Sequence, residues 1–131
     1  LVTGQGADEL FHGYAHFRGL SLADRLSRAS ADLERLTEHE WPRFQRMSAG
    51  AGRQIVAPYL DDEFVRAVQR EASSIAVASE GEPKRTLREL ARHLGVPAEL
   101  AARPKKAMQY GSGIGRLVRE FDRAAAGTRG G

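Results

Sequence analysis

The 131 residues are enough for one domain or part of a larger one, and the formal charge of +3 arises from 20 Lys and Arg dispersed among 17 Asp and Glu. Dispersed charge is typical of solvated helix faces and argues against a nucleic-acid surface, and the absence of cysteine excludes disulfides and thiolate zinc sites. No membrane span or signal peptide is visible, so the sequence predicts a cytoplasmic protein that has no membrane partner.

The chain begins with Leu1 and Val2, which look like the last residues of a buried strand. A glycine turn follows directly at residues 3–6. Glycines let the backbone approach a ligand closely, and the N–H groups of a first helical turn attract anions. Asp8 and Glu9 follow at the start of a predicted helix, where they would repel a bare phosphate unless a divalent cation lay between. The competing interpretation is that both acids only complement the helix dipole.

A zinc site is an alternative for the same segment. Asp8, His12 and His16 fall at i, i+4 and i+8, on one face of a helix predicted to end at Gly19. The segment lacks the glutamate of an HExxH motif, and two histidines one turn apart are common by chance. We therefore expect Asp8 to serve a different purpose.

The remainder of the chain is predicted to be mainly α. Three residues are placed to cap further helices: Ser21, Asp61 and Ser112. Pro42 should interrupt the helix that follows Ser21, so that a separate helical turn begins at Trp41. Ile55 and Val56 form a candidate short extended piece, and residues 127–131 are expected to be a disordered tail.

The segment RPKKAMQYGSG places Lys105 after a proline bend and ahead of the last predicted helix. Lysine is a mobile charge suited to neutralising phosphate oxygens during their transfer. A solvated basic loop is the competing interpretation. Because the residues that follow are apolar or small, we expect Lys105 to project into a site.

Three segments in this order resemble the asparagine synthetase C-terminal (ATP-pyrophosphatase) family: TGQGADELFHGY, GAGRQIVAPYLDDEF and RPKKAMQYGSGI. The resemblance implies that residues 1–126 are the helical C-terminal half of an α/β adenine nucleotide alpha-hydrolase-like (PP-loop) synthetase domain. The SGGxDS pyrophosphate loop of the family is absent from the chain, so the resemblance implies a missing N-terminal half as a partner. A glutaminase domain is a further implied partner, and a homodimer is left open.

The resemblance also implies a reaction. Family members bind ATP and Mg²⁺, adenylate the side-chain carboxylate of aspartate, and use free or glutamine-derived ammonia to give asparagine, AMP and pyrophosphate. The whole protein is then expected to be an asparagine synthase-like ligase, whereas an isolated fragment would be inactive. Carried onto this chain, the family roles are nucleotide contact for Thr3, Gly4 and Gly6, Mg²⁺–pyrophosphate binding for Asp8, aspartate contact for Glu9 and phosphate neutralisation for Lys105.

Gln5 departs from the family pattern at a catalytic position. Family members carry a glutamate there that is thought to act as base toward the attacking amine. An amide cannot take a proton, so either ammonia attacks unassisted or the product differs. Two alternatives stay open: another synthetase of the superfamily, such as a β-lactam synthetase-like or related amidating enzyme, and a non-catalytic remnant that acts as an interaction module.

Two further departures concern other segments. His12 replaces a family glycine, and residues 54–56 stand where the family usually carries an acid and an arginine. The second departure weakens the assignment of the aspartate site.

Replacing Lys105 tests the implied reaction. In the complete enzyme, Lys105→Ala should raise the adenylation barrier by on the order of 3 kcal/mol, the scale of one lost electrostatic stabiliser. Pyrophosphate release measures the effect. Wild-type turnover in the variant would remove Lys105 from the mechanism.

Overall fold

The structure is a computed structural model that describes residues 1–103, and over this range the chain is mainly helical, as predicted. Lys105, Ser112 and the expected tail at residues 127–131 lie outside the described residues. The α-helices in the described range are α1 (Ala7–Leu10), α2 (Leu22–Arg35), α3 (Trp41–Gly50), α4 (Asp62–Arg70), α5 (Ala72–Ala78), α6 (Arg85–His93) and α7 (Ala98–Ala101). None of them is long and apolar enough to cross a membrane.

The chain divides into two compact units, Leu1–Pro97 and Ala98–Gly131. The first unit contains α1 to α6. Short 3-10 turns at Ala15–Phe17 and Pro58–Leu60 connect its helices, and a π-turn at Leu36–Glu40 joins α2 to α3. Of the second unit, α7 and the two residues after it are described.

Two predicted caps are confirmed. The Ser21 hydroxyl accepts the backbone N–H of Asp24 at 3.2 Å at the start of α2. The Asp61 carboxylate accepts the N–H groups of Glu63 and Phe64 at 3.0 and 3.1 Å at the start of α4. Each cap satisfies backbone donors that have no partner inside their helix, which stabilises the helix by about 1 kcal/mol.

The first helix is much shorter than predicted. α1 ends at Leu10, because the next residues close it with a Schellman motif: the N–H of Gly13 donates to the carbonyl of Asp8 at 2.8 Å. His12 adopts a left-handed φ of 53° in this motif, at the position that glycine usually takes. The apolar spacing beyond it therefore belongs to a turn and not to a helix that continues to Gly19.

Pro42 is accommodated without a break in the helical path. The predicted helix at Trp41 is present as α3, but it follows α2 through the π-turn and not through a loop. Proline cannot donate a backbone hydrogen bond, and a π-turn changes the register of those bonds ahead of it. The proline therefore marks a change in helix type.

The core of the first unit forms where α1 meets α2, α4 and α5. The buried cluster consists of Leu10, Phe11, Leu33 and Ile75, and six partly buried side chains pack against it: Tyr59, Leu60, Phe64, Val65, Val68 and Leu87. The ring of Phe11 lies edge-on to that of Tyr59, with centroids 6.2 Å apart. This packing fixes α1, and with it the turn that precedes α1.

The start of the chain is anchored by one parallel β-bridge between Val2 and Val56. The N–H of Val56 donates to the carbonyl of Leu1 at 2.8 Å, and the N–H of Thr3 donates to the carbonyl of Val56 at 2.9 Å. The extended piece predicted at Ile55 and Val56 is therefore confirmed. Val2 is 80% exposed, so its side chain is not part of this unit's core.

Leu36 tests whether the start of the π-turn after α2 contributes to the core. Its side chain is 1% exposed, and Leu36→Ala should lower the free energy of unfolding by about 2–5 kcal/mol because it removes buried methyl groups and leaves a cavity. Leu94→Ala is the matched control, since Leu94 is 72% exposed. Urea denaturation measures both, and equal losses in the two variants would contradict this description of the core.

Candidate functional site

The Asp8 carboxylate forms an ion pair with Lys84, with Oδ1 and Nζ 3.0 Å apart. α1 supplies Asp8 in its first turn, and Lys84 comes immediately before α6. The two side chains are 22% and 21% exposed, so the pair is shielded but still open to a ligand. The sequence pattern missed Lys84, because it follows Pro83 in what looked like an ordinary turn.

Two backbone outliers lie at this ion pair, one of them at Lys84 itself. His12 and Lys84 have φ values of 53° and 59°, and they are the non-glycine residues of the described range that have positive φ. The N–H of Lys84 donates to the carbonyl of Phe11 at 3.1 Å, which ties the second outlier to the first. Such conformations cost about 1–3 kcal/mol each and often occur at functional sites, where the surroundings hold them in place.

Glycine at position 13 is required by the ion pair itself. A Cβ atom there would overlap both the Asp8 carboxylate and the Cε atom of Lys84. The backbone of Gly13 therefore forms one wall against which the acid and the amine meet.

The residues predicted to contact a nucleotide lie in the turn between the β-bridge and α1. Gly6 has a φ of 94° and would meet Tyr59 and Leu60 if it carried a Cβ, so the fold itself requires glycine at this position. Gly4 is exposed, and no atom lies within 4 Å of its would-be Cβ, so its backbone can be approached closely. Thr3 and Gln5 are half-buried beside it.

The helix dipole of α1 contributes little positive charge to this site. α1 has only four residues, so few peptide dipoles add up at its N-terminus. Two carboxylates in its first turn oppose an anion further. The ammonium of Lys84 is the positive charge that the structure brings to Asp8.

Glu9 lies inside the fold. Its side chain is buried, and its Oε1 accepts the hydroxyl of Tyr14 at 2.6 Å. Burial, followed by this hydrogen bond and the charge of Glu9, raises the pKa of Tyr14 far above its usual value. The carboxylate that was expected to contact aspartate thus has a role in holding the turn after α1.

The histidines do not share a helix face with Asp8. The ring of His12 lies edge-on to Phe17, with centroids 5.1 Å apart, whereas His16 bonds the buried carboxylate of Asp32 at 2.7 Å. Because α1 ends before either histidine, the geometry assumed for a zinc site is wrong. Within residues 1–103, no group of three or more His, Asp or Glu is arranged to hold a metal ion.

Comparison with known proteins gives a family and two relatives. A family model described as asparagine synthase matches residues 24–128. Asparagine synthetase domain-containing protein 1 of Mus musculus is 30% identical over 133 aligned residues, which cover 95% of this chain and 21% of that protein. The Bos taurus protein of the same name is 29% identical, with the same coverage. No solved structure matches the chain.

The chain spans about one-fifth of the length of the curated relatives that it matches. The family match begins at residue 24, after α1 and its Asp8, whereas the alignments to the two relatives cover nearly the whole chain.

The buried ring of His12 predicts a pH dependence. Burial and the positive charge of Arg25 lower the pKa of His12 to about 4, so folding favours the neutral ring. The unfolded chain takes up a proton near pH 6.5, and the folded chain resists it until about pH 4. The contribution of His12 to the free energy of unfolding is therefore fully present above pH 6.5 and is lost as the pH falls toward 4.

Asparagine tolerates left-handed backbone, so His12→Asn removes the ionisable ring while it keeps the turn. The wild-type chain should lose more unfolding free energy between pH 7 and pH 4.5 than His12→Asn does. Denaturation at the two pH values measures the difference. His93→Asn, at an exposed position, is the control; parallel losses in the wild type and His12→Asn would show that His12 is not the group responsible.

Proposed function

Because the chain belongs to the asparagine synthase family, we propose that the whole protein is an ATP- and Mg²⁺-dependent ligase that converts aspartate to asparagine. The ammonia is free or derived from glutamine, and the other products are AMP and pyrophosphate. The observation that carries the proposal is the Asp8–Lys84 pair next to an open glycine turn, with strained backbone at Lys84 and at His12.

The reaction has two balanced steps. A carboxylate oxygen of aspartate attacks the α-phosphorus of ATP, and the bond to the departing pyrophosphate breaks. Ammonia then attacks the acyl carbon, AMP leaves with the oxygen that it gained, and the nitrogen loses one proton. The first step releases a highly charged leaving group, so cations close to it stabilise its transition state.

Asp8 fits a ligand of Mg²⁺. The ion is usually bound by one or two carboxylates together with phosphate and water. The Asp8 carboxylate is partly exposed, so it is accessible to such an ion. When bound, Mg²⁺ neutralises phosphate charge. The chain's own contribution is to hold the Asp8 oxygens in a fixed direction, through α1 and the Schellman closure behind it.

Lys84 supplies a positive charge at the same place. Its ammonium lies 3.0 Å from Asp8, so it would add a positive charge next to any Mg²⁺ and phosphate that Asp8 held. In our proposal, Lys84 orients Asp8 before the nucleotide binds and turns to the leaving pyrophosphate afterwards. Lys105 is proposed as a second lysine for the same task.

The turn residues complete the assignment. We assign nucleotide contact to Thr3 and to the open backbone of Gly4, while Gly6 gives the turn its shape. Glu9 is proposed to contact aspartate through Oε2, since its Oε1 accepts the hydroxyl of Tyr14.

Gln5 favours a second candidate function within the same superfamily. Its side-chain amide can donate and accept hydrogen bonds but cannot act as a general base. In the asparagine reaction, the attacking nitrogen must then lose its proton to solvent. A different acceptor, as in a β-lactam synthetase-like or related amidating enzyme, would remove the need for a base at this position.

Substitution of Lys84 tests the proposal in the whole protein. With aspartate, ATP, Mg²⁺ and ammonium, Lys84→Gln should slow pyrophosphate release about 10²- to 10³-fold, as expected when one preorganised charge is lost. Arg85→Gln is the matched control, because it removes an exposed positive charge at the next position, where Arg85 forms an ion pair with Glu89 on its own helix. Equal rates in the two variants would exclude Lys84 from the reaction.

The products of the same assay separate the candidate functions. Asparagine formed in step with AMP supports the leading proposal. Pyrophosphate release with another carboxylic acid, but not with aspartate, would indicate another synthetase of the superfamily. Complete absence of ATP-dependent pyrophosphate release in the whole protein would favour a non-catalytic interaction module.

A further inference from the structure

Arg25 is a buried cation that has no acidic partner among the described residues. Its side chain is 4% exposed, and no carboxylate of residues 1–103 forms an ion pair with it. Nη1 donates to the carbonyl of Ala76 at 2.7 Å, and Nη2 has a long contact of 3.5 Å with the carbonyl of Leu20. Nε is buried and has no hydrogen-bond acceptor.

A cavity of about 230 Å³ lies beside this guanidinium. Its lining includes the rings of His12, Tyr14 and Phe17, together with Arg25 and Ser79. The Nδ1 atom of His12 is also buried and without a hydrogen-bond partner. The two side chains of the described range that carry such atoms therefore line the same space.

The cavity wall has an excess of positive charge. Arg18 and Arg25 both contribute to it, and Glu80 is the one acid that lines it among residues 1–103. A buried charge without a counter-charge is strongly unfavourable, because the interior cannot replace the hydration that the charge has lost. A bound water would leave the charge of the guanidinium unneutralised.

We propose that this cavity binds a small carboxylate, whose negative charge balances Arg25 and whose body packs against the ring of Phe17. A planar guanidinium edge matches the two oxygens of a carboxylate. One buried cation requires a single negative charge, and the aromatic walls suit a carbon body better than a fully solvated inorganic ion. The cavity is smaller than the 300–1,000 Å³ usual for drug-sized ligands, so the ligand is a small acid.

The site does not depend on the proposed ligase activity. It uses none of the residues assigned to ATP, Mg²⁺ or aspartate. Two hydrogen bonds connect the two regions. Tyr14 of the cavity wall donates to Glu9 at 2.6 Å, and Ser79 of the wall donates to the carbonyl of Phe11, which also accepts the N–H of Lys84.

Nuclear magnetic resonance of the ¹⁵N-labelled whole protein tests the proposal, with acetate as the probe. Acetate replaces chloride at constant ionic strength, and the Nε–H signal of Arg25 is followed. A saturable shift of this signal, accompanied by shifts of the His12 ring, is expected. No saturable shift, or saturation by inorganic phosphate in the absence of any acetate effect, would overturn the assignment to a carboxylate.

Two variants place the binding at this cavity. Arg25→Gln should weaken acetate binding at least about tenfold, because it removes a charged hydrogen-bond donor. Since Arg25 also bonds Ala76, this variant could unfold, so Arg18→Gln gives an independent measurement, with an expected loss of roughly two- to fivefold. Arg46→Gln, an exposed arginine outside the cavity lining, is the control; the same loss in Arg46→Gln as in Arg18→Gln would show only a general effect of charge and overturn the proposal.

Discussion

The chain reversal after Leu10 determines the arrangement of the site. One hydrogen bond, from the N–H of Gly13 to the carbonyl of Asp8, closes α1 while Phe11 packs into the core. Because α1 is so short, its direction depends on this closure and on the packing of Phe11 more than on its own hydrogen bonds. The Asp8 carboxylate faces Lys84 as a result, and the open turn before α1 lies next to the pair.

The closure requires an unusual residue choice. His12 is in a conformation that glycine adopts without strain, and its ring is buried with one nitrogen that lacks a partner. The packing of that ring on Phe17 offsets part of this cost. A glycine would relieve the backbone but would leave a space beside Arg25 and Phe17. The histidine therefore connects two regions: the turn that presents Asp8 and the wall of the cavity that contains Arg25.

Local signals predicted the caps and the extended piece, but not the length of the first helix. Ser21 and Asp61 satisfy nearby backbone donors, so the sequence alone is enough to identify them. The end of α1 was missed because histidine stands where a helix stop usually has glycine. Lys84 was missed because its contact with Asp8 joins residues far apart in the chain, and no periodic pattern encodes it. Glu9 was assigned from a motif, whereas its burial depends on a partner, Tyr14, that a motif does not show.

The carbonyl of Phe11 has a consequence for how such proteins diverge. It accepts hydrogen bonds from the backbone N–H of Lys84 and from the hydroxyl of Ser79. One main-chain oxygen therefore connects the ion-pair region to the cavity wall. Substitutions at position 11 alter packing but leave the acceptor in place. The hydrogen bond between the backbones of residues 11 and 84 therefore does not require the side chains at these two positions to change together. A statistical search for co-varying residue pairs would not detect this contact, although the two residues are directly hydrogen-bonded.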